Sequence, residues 1–424
     1  GYDARSGALR WSQDLSPPDL RGSPPTSAAG YTLATPNVWA PMVADENLGL
    51  VYAPTGNPLP DYFRNQDLEM SYYGSSLVAI EATSGNIAWH YQFVHRDFWD
   101  FDTPAQPTLF DLQREGRRIP AVAQATKMGF VFVLDRRTGE SLFPVEERAV
   151  PQNPDFPGLV TSATQPFPLL PAPVADIDIA PQEALGLTAL DSALCRREMN
   201  TMRYEGMYTP VSDQWTLIYP GNAGGSNWGG LAVDEQAQVL IANASNLAWE
   251  ARLVARDEYE ATVDANPGAE ILPQSGTAWA LWRRPWLSLQ GIPCSPQPRG
   301  QLTAIDLRSG QHIWQSGLGT TRDLSPLPIG LETGTPTLGG PLMNAGGITF
   351  IGATADNYLR AFDSTSGDEL WRGRLPAPAI ATPMSYVVTL GDGRERQFVV
   401  IAAGGNGRVP GALSDKLVAF ALPE

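Results

Sequence analysis

The chain has 424 residues and a formal net charge of -16, with 43% hydrophobic and only 17% charged side chains. Such an acidic surface repels nucleic acid and anionic membranes, which removes both as expected partners. No apolar run reaches the roughly 18 residues a helix needs to cross a bilayer, and the 41 glycines and 38 prolines suit short strands and tight turns better than helices.

The first residues, GYDARSGALRW ending at Trp11, carry neither an initiating Met nor a signal-peptide pattern, so the chain is expected to be part of a longer polypeptide. They also introduce a unit that returns along the sequence. An acid ends one strand, a glycine follows four residues later, and an aromatic four after that. The unit recurs as VAIEATSGNIAW ending at Trp89, FVLDRRTGESLF at Phe143, TAIDLRSGQHIW at Trp314 and RAFDSTSGDELW at Trp371. In each copy the acid and the Ser/Thr-Gly predict a hairpin turn, with glycine at a positive φ. Alternating strands precede the copies at 39–56, 107–134, 228–245 and 339–362, and a last block over 382–407 and 416–423 has strands without the Trp. About four strands per block is one propeller blade. The expectation is an all-β propeller of five blades plus the closing hairpin of an earlier one. A helical solenoid does not fit, because the apolar period is two.

Two long segments interrupt the blades. Residues 147–223 are rich in proline and predict one helix within 191–206; residues 246–298 hold an acidic stretch and the run WALWRRPW. Both read as insertions that shape an entrance on one face or simply pad the surface. Each carries one cysteine, Cys195 and Cys294, whose spacing matches no zinc motif. They form either a disulfide, in an oxidising compartment, or two buried thiols.

Chemistry concentrates in HRDFWDFD, where Asp97, Asp100 and Asp102 share eight residues with aromatics. Clustered carboxylates repel one another, and a hard cation relieves this. A solvated acidic loop is the alternative, though Trp99 and Phe101 make full exposure unfavourable. Lys127 stands out because Lys416 is the chain's only other lysine; a compact point charge is wanted there rather than a guanidinium fork. The three histidines, His90, His95 and His312, are too scattered for a metal cluster or a triad.

With its Trp-ended repeats and the segments APTGNPLPDYF, WHYQFVHRDFWDFDTPAQP, KMGFVFVLDRRTGE, MRYEGMYTP, GIPCSPQPRGQLTAIDLRSG, GTPTLGGPLMNAGGITFIGA and IAAGGNG, the chain resembles the membrane-bound quinoprotein glucose and quinate dehydrogenases. These use pyrroloquinoline quinone (PQQ). The resemblance runs the length of the chain and covers the C-terminal part of the family's eight-bladed catalytic propeller. It implies that early blades and an N-terminal membrane segment are missing. It implies Asp100 as catalytic base, with Asn57, Asp100 and possible extra ligand Asp102 around a Ca²⁺ ion, for which Mg²⁺ or a lanthanide could substitute. It implies Lys127 on the quinone oxygens, Trp39 as the floor beneath the cofactor, and Asn227 and Trp228 on its polar side. Asn406 falls on the substrate side, where glucose-oxidising relatives usually have His. The implied reaction is oxidation of a sugar, quinate-like cyclic polyol or other alcohol by hydride transfer to metal-bound PQQ. Electrons would pass to ubiquinone at the periplasmic side of the bacterial inner membrane. Two alternatives stay open: a non-catalytic scaffold propeller of the outer-membrane assembly type, and a soluble PQQ alcohol dehydrogenase using cytochrome c.

Overall fold

A computed structural model of the chain describes residues 1–20, 31–64, 70–324, 330–407 and 409–422. Blade one is β1 (Val43–Asp45), β2 (Leu50–Pro54), β3 (Ser76–Glu81) and β4 (Ile87–Gln92), paired antiparallel in that order. Blade two is β5 (Thr108–Arg114), β6 (Arg117–Ala125) and β7 (Val131–Asp135), with a single Leu134–Ser141 bridge in place of a fourth strand.

The first insertion follows as a hairpin, β8 (Val145–Ala149) and β9 (Thr164–Pro168), then helix α1 (Ala189–Met199) and strand β10 (Thr216–Ile218). The helix begins two residues before the predicted region, with Thr188 as its N-cap, and stops at Met199 instead of reaching residue 206. Blade three opens with β11 (Leu231–Asp234) and β12 (Val239–Ser245). The second insertion then intervenes as β13 (Trp249–Ala255), α2 (Tyr259–Ala265), β14 (Glu270–Pro273) and β15 (Trp279–Pro285). Strands β16 (Gly300–Asp306) and β17 (His312–Gly317) complete blade three. Blade four is β18 (Leu342–Met343), β19 (Ile348–Ile351), β20 (Tyr358–Asp363) and β21 (Glu369–Arg374). Blade five has three strands, β22 (Met384–Thr389), β23 (Glu395–Ala403) and β24 (Lys416–Ala421).

The two insertions are not separate decorations. Strand β10 of the first joins the three strands of the second in one sheet, in the order β10-β13-β15-β14, and the Cys195–Cys294 disulfide joins the insertions with Cα atoms 5.8 Å apart, well within bridging distance.

Blade packing follows from the two-residue period of strands. Every residue of β12 is buried. Leu240, Ala242 and Ala244 pack with Phe110, Val131 and Val133 of blade two, while Val239 and Ile241 pack with Ile351 and Phe362 of blade four. A central blade therefore has two apolar faces and no polar one.

The recurring aromatics set the spacing. In all five copies the glycine N–H donates to the carbonyl of the acid four residues earlier, and the glycine φ lies between 71° and 79°. The next blade's bare glycine then receives the preceding aromatic. A Cβ on Gly85 would lie 2.5 Å from the Trp11 ring, on Gly139 2.6 Å from Trp89, on Gly310 3.0 Å from Phe143, and on Gly367 2.6 Å from Trp314. The Trp11 and Trp314 indoles also donate to the carbonyls of Ala82 and Ser364, at 2.9 and 3.0 Å. Trp371 departs from the pattern: it packs edge-on against Phe420 of blade five and is 40% exposed.

Blades three and four are also tied by a buried ion pair. Asp356 is fully buried and bonded to Arg360, Thr354 Oγ1 (2.7 Å) and the Thr320 backbone (2.7 Å) and hydroxyl (2.9 Å). Burial alone would raise its carboxyl, but Arg360 and the threonines hold it below the ordinary value. A depressed carboxylate stabilises fully above its unfolded value of about 4, and the effect is lost as pH falls through the folded value. Asp356→Asn should therefore cost about 3–5 kcal/mol at neutral pH by leaving Arg360 short of its partner, and the difference should shrink on acidification. Equal urea midpoints for variant and wild type at neutral pH would refute this. Replacing Cys195 and Cys294 together by Ser opens a loop spanning 99 residues and should cost about 2–5 kcal/mol, read as an earlier denaturation midpoint under oxidising conditions.

Candidate active site

The loop after β4 is built by sending its aromatics one way and one acid the other. Phe98, Trp99 and Phe101 are buried. The Trp99 and Phe101 rings lie 6.2 Å apart, and Tyr208 of the first insertion meets both edge-on. The Trp99 indole donates to the Thr209 carbonyl at 2.8 Å. Asp97 buttresses this loop from below: its carboxylate accepts the Trp99 N–H (2.9 Å) and the Ser75 hydroxyl (2.8 Å). The three acids of the motif therefore do not share one site. Asp100 has φ +59°, a conformation that is uncommon outside glycine and that aspartate tolerates better than most residues. Its carboxylate meets a different set of partners.

Lys127 lies in the turn between β6 and β7, with only 6% of its side chain exposed. Its ammonium donates to the Asp100 carbonyl (2.7 Å), Asp100 Oδ1 (3.1 Å) and Asp102 Oδ2 (2.9 Å). The other Asp102 oxygen accepts the Asn57 backbone N–H at 2.5 Å. Asn57 Oδ1 accepts from Arg64 Nη1 at 3.1 Å, and Asn57 Nδ2 donates to the Asp61 carbonyl at 3.0 Å. Gly56 permits this approach, since a Cβ there would lie 2.6 Å from Asn37 Oδ1 and 2.9 Å from Asp102 Oδ1. Asn57, Asp100, Asp102 and Lys127 thus come together from blade one, the loop after it and blade two.

Trp39, Asn227, Trp228 and Asn406 belong to other segments of the chain. Trp39 and Trp228 expose 46% and 36% of their surfaces, which leaves flat aromatic area open. Asn227 is engaged within its own loop, donating to the Ala223 carbonyl (3.0 Å) and accepting the Trp228 N–H (2.8 Å). That loop runs along Lys127, whose carbonyl accepts the Gly225 N–H at 2.7 Å. Asn406 is half-buried in the loop after β23.

Sequence reasoning missed three members. Arg283 on β15 donates to Asp100 Oδ2 at 2.7 Å, and Asn222 Nδ2 reaches the same oxygen at 3.3 Å. Asp61 stands close enough to feel the charges of Asp100, Asp102 and Asp97. The lone local signal was the paired arginine in WRRPW, which does not say where its strand docks.

Burial would raise the Asp100 carboxyl, but Lys127 and then Arg283 overcome it and hold the group at about 2. Burial pushes Asp102 up to about 6; Lys127 opposes the rise and the Asp100 charge adds to it. Burial, followed by the neighbouring acids, pushes Asp61 up to about 7. Lys127 stays charged above its usual range: burial disfavours the ammonium, but Asp100 and Asp102 outweigh it.

The donor set suits a hard cation. Two carboxylates converge on one point, where the Lys127 ammonium stands in for a positive ion, and Asn57 Oδ1 keeps a second lone pair after serving Arg64. Among the described residues no group of three or more His, Cys, Asp or Glu forms a ready cage. A divalent ion here would need Lys127 to withdraw and further oxygens to complete its shell.

The PQQ family model "Glucose/ethanol/alcohol dehydrogenase, beta-propeller domain" matches residues 1–399. The quinoprotein glucose dehydrogenase of Escherichia coli K12 is 41% identical over the whole chain, which spans 54% of that relative. A probable quinate dehydrogenase (quinone) of Xanthomonas campestris pv. juglandis is 39% identical over 94% of the chain, covering 51% of its own length. The chain thus spans about half the length of these relatives. Among solved structures, the quinohemoprotein alcohol dehydrogenase of Comamonas testosteroni superposes on 93% of the chain and 49% of its own, with a TM-score of 0.58 and 23% identity, which supports the shared fold. The Trp-on-glycine blades and the match across nearly all residues lead to one conclusion: this chain belongs to the PQQ β-propeller family of dehydrogenases.

Proposed function

We propose that the protein oxidises a CH–OH group of a sugar or cyclic polyol, with PQQ and a Ca²⁺-type ion bound beside Asp100. The observation that carries this reading is the convergence of Asp100 and Asp102 on a single cation position next to Asn57. A non-catalytic scaffold has no use for two carboxylates and two cations held largely out of water, an arrangement that burial penalises.

When bound, PQQ would supply the two-electron acceptor and the ion the Lewis acid. The protein's own part is proton handling and placement. Asp100 is kept ionised by its cations and would take the substrate hydroxyl proton as general base. Asn57 and Asp102 join Asp100 as ligands of the ion. Lys127, once off the carboxylates, would hold the cofactor's oxygens with its ammonium, a charge suited to an electron-accepting group. Trp39 offers a stacking floor, Asn227 and Trp228 line the polar side, and Asn406 serves substrate hydroxyls with an amide that both donates and accepts. Ubiquinone is the proposed electron acceptor and the periplasmic side of the inner membrane the proposed location. No helix among the described residues is long and apolar enough to cross a membrane, so any anchor would lie elsewhere.

A further part of the same polypeptide, N-terminal to these residues, is proposed to complete the propeller. Supporting this, the chain spans only 54% and 51% of the lengths of the glucose and quinate dehydrogenases it resembles.

Asp100→Asn in the full-length gene product, loaded with PQQ and calcium, should lower kcat at least 100-fold, on the order of general-base effects. PQQ binding should survive, because the amide still offers an oxygen. Turnover of glucose, quinate and neutral polyols with an artificial acceptor measures this, and wild-type turnover in the variant would remove Asp100 as the base.

A further inference from the structure

Asp100 is gripped from two sides. Lys127 holds Oδ1 from blade two, and Arg283 holds Oδ2 from the insertion sheet. The guanidinium is fixed in turn. Its Nη1 also donates to the Tyr62 hydroxyl (3.2 Å), and its Nε and Nη2 donate to Glu270 Oε1 at 3.1 and 2.8 Å. Glu270 lies directly across from Arg283 in the β14–β15 register, and Ala251 lies opposite on β13. The Tyr62 and Trp249 rings pack against the guanidinium at 5.7 and 5.9 Å. With one-tenth of its side chain exposed, Arg283 has one geometry.

The charges explain why this matters. Asp100 and Asp102 carry two negative charges, and Lys127 alone would leave one uncompensated. Arg283 supplies a second positive charge, which Asp100 shares with Glu270. Any divalent cation sharing Asp100 must then do so against a fixed positive charge on the neighbouring oxygen, at a distance where charges interact strongly.

We propose that Arg283 is a positioning residue: the insertion sheet delivers it to Oδ2 of Asp100, where it aims the carboxylate and limits how tightly that carboxylate binds a metal. This rests on the proposed reaction for its catalytic half but not for its electrostatic half. Nη1 fixes one carboxylate oxygen, so the other, held by Lys127 in this structure, can meet cation or substrate without rotation of the group once Lys127 withdraws. Without Arg283 the carboxylate would turn wholly toward the cation, binding it more tightly and serving less well as a base.

The test uses the full-length gene product and two variants, Arg283→Gln and Arg283→Lys. Terbium titration of the apo protein, read by tryptophan-sensitised luminescence and checked by calcium competition, gives metal affinity without any turnover. Arg283→Gln should bind terbium on the order of tenfold tighter, as expected for removing one nearby positive charge. Loaded with PQQ and calcium, the same variant should lose on the order of 10–100-fold in kcat, as misplacement of a reacting group does, with KM nearly unchanged. Arg283→Lys should return both quantities toward wild type. Opposite movement of metal affinity and kcat is the signature, because a collapsed site would weaken both. Unchanged or weaker terbium binding in Arg283→Gln overturns the proposal, as does a kcat loss matched by a fall in melting temperature that lysine fails to repair. A wild type that reduces no PQQ with any polyol, while its variants shift terbium affinity as expected, supports the electrostatic assignment and overturns the enzyme reading instead.

Discussion

An indole lying flat needs a surface with nothing standing on it, and that requirement organises this protein. Each repeat supplies both halves of the contact: a glycine without a side chain for the blade before it, and an aromatic ring for the blade after it. The positive φ of the glycine and the tight turn held by the preceding acid therefore belong to one device. Blade position is inherited along the chain, from Trp11 on Gly85 to Trp314 on Gly367. Two joints are modified: Phe143 has no side-chain N–H to donate, and at the Trp89 joint another residue takes the acceptor. Tyr52 donates to the Arg136 carbonyl at 2.7 Å, the acceptor that corresponds to those used by Trp11 and Trp314. The Trp89 N–H is left without a partner among the described residues. The ring contact persists without the hydrogen bond, which shows which of the two sets the spacing.

The site depends on that regularity. Its groups come from separate elements: Asn57 from the end of blade one, Asp100 and Asp102 from the loop that leaves it, Lys127 from a turn of blade two, Arg283 from the insertion sheet. None could be held to hydrogen-bonding distance by local structure alone. Blade docking fixes the first four relative to one another, and the Trp99–Phe101–Tyr208 aromatic core ties the loop to the first insertion. Lys127 and Arg283 face Asp100 and Asp102 in a space that excludes most water, and this pairing is what allows the ionised groups to remain buried.

Much of this was legible in the residues. The acid-Gly-aromatic spacing is a local pattern with a local cause, so blades, turns and docking rings could be read directly. Asp100 and Lys127 stood out through clustering and rarity. The rest depended on contacts that spacing does not encode. Nothing near Arg283 announces that β15 will reach a loop 183 residues away. Asp97 looked equivalent to Asp100, yet one turns into the loop's own backbone and the other away from it, in a loop whose backbone takes positive φ at both Arg96 and Asp100. Trp371 carries the repeat in full, yet its ring lies over Gly373 of its own strand and not over a turn glycine of the next blade, because the partner of a docking ring is set by the blade that follows.

The shared sheet of the two insertions reaches beyond the geometry of one molecule. Strand β10, before blade three, is laid against β13, which interrupts that blade, and a disulfide closes the same pair of segments. Neither piece is a free-standing loop. Deleting the second strips β10 of the strand it is hydrogen-bonded to and leaves Cys195 unpaired; deleting the first leaves an open sheet edge and an unpaired Cys294. In the history of such a propeller the two must be gained or lost as one cassette, and anyone grafting this roof onto another propeller must move both halves together.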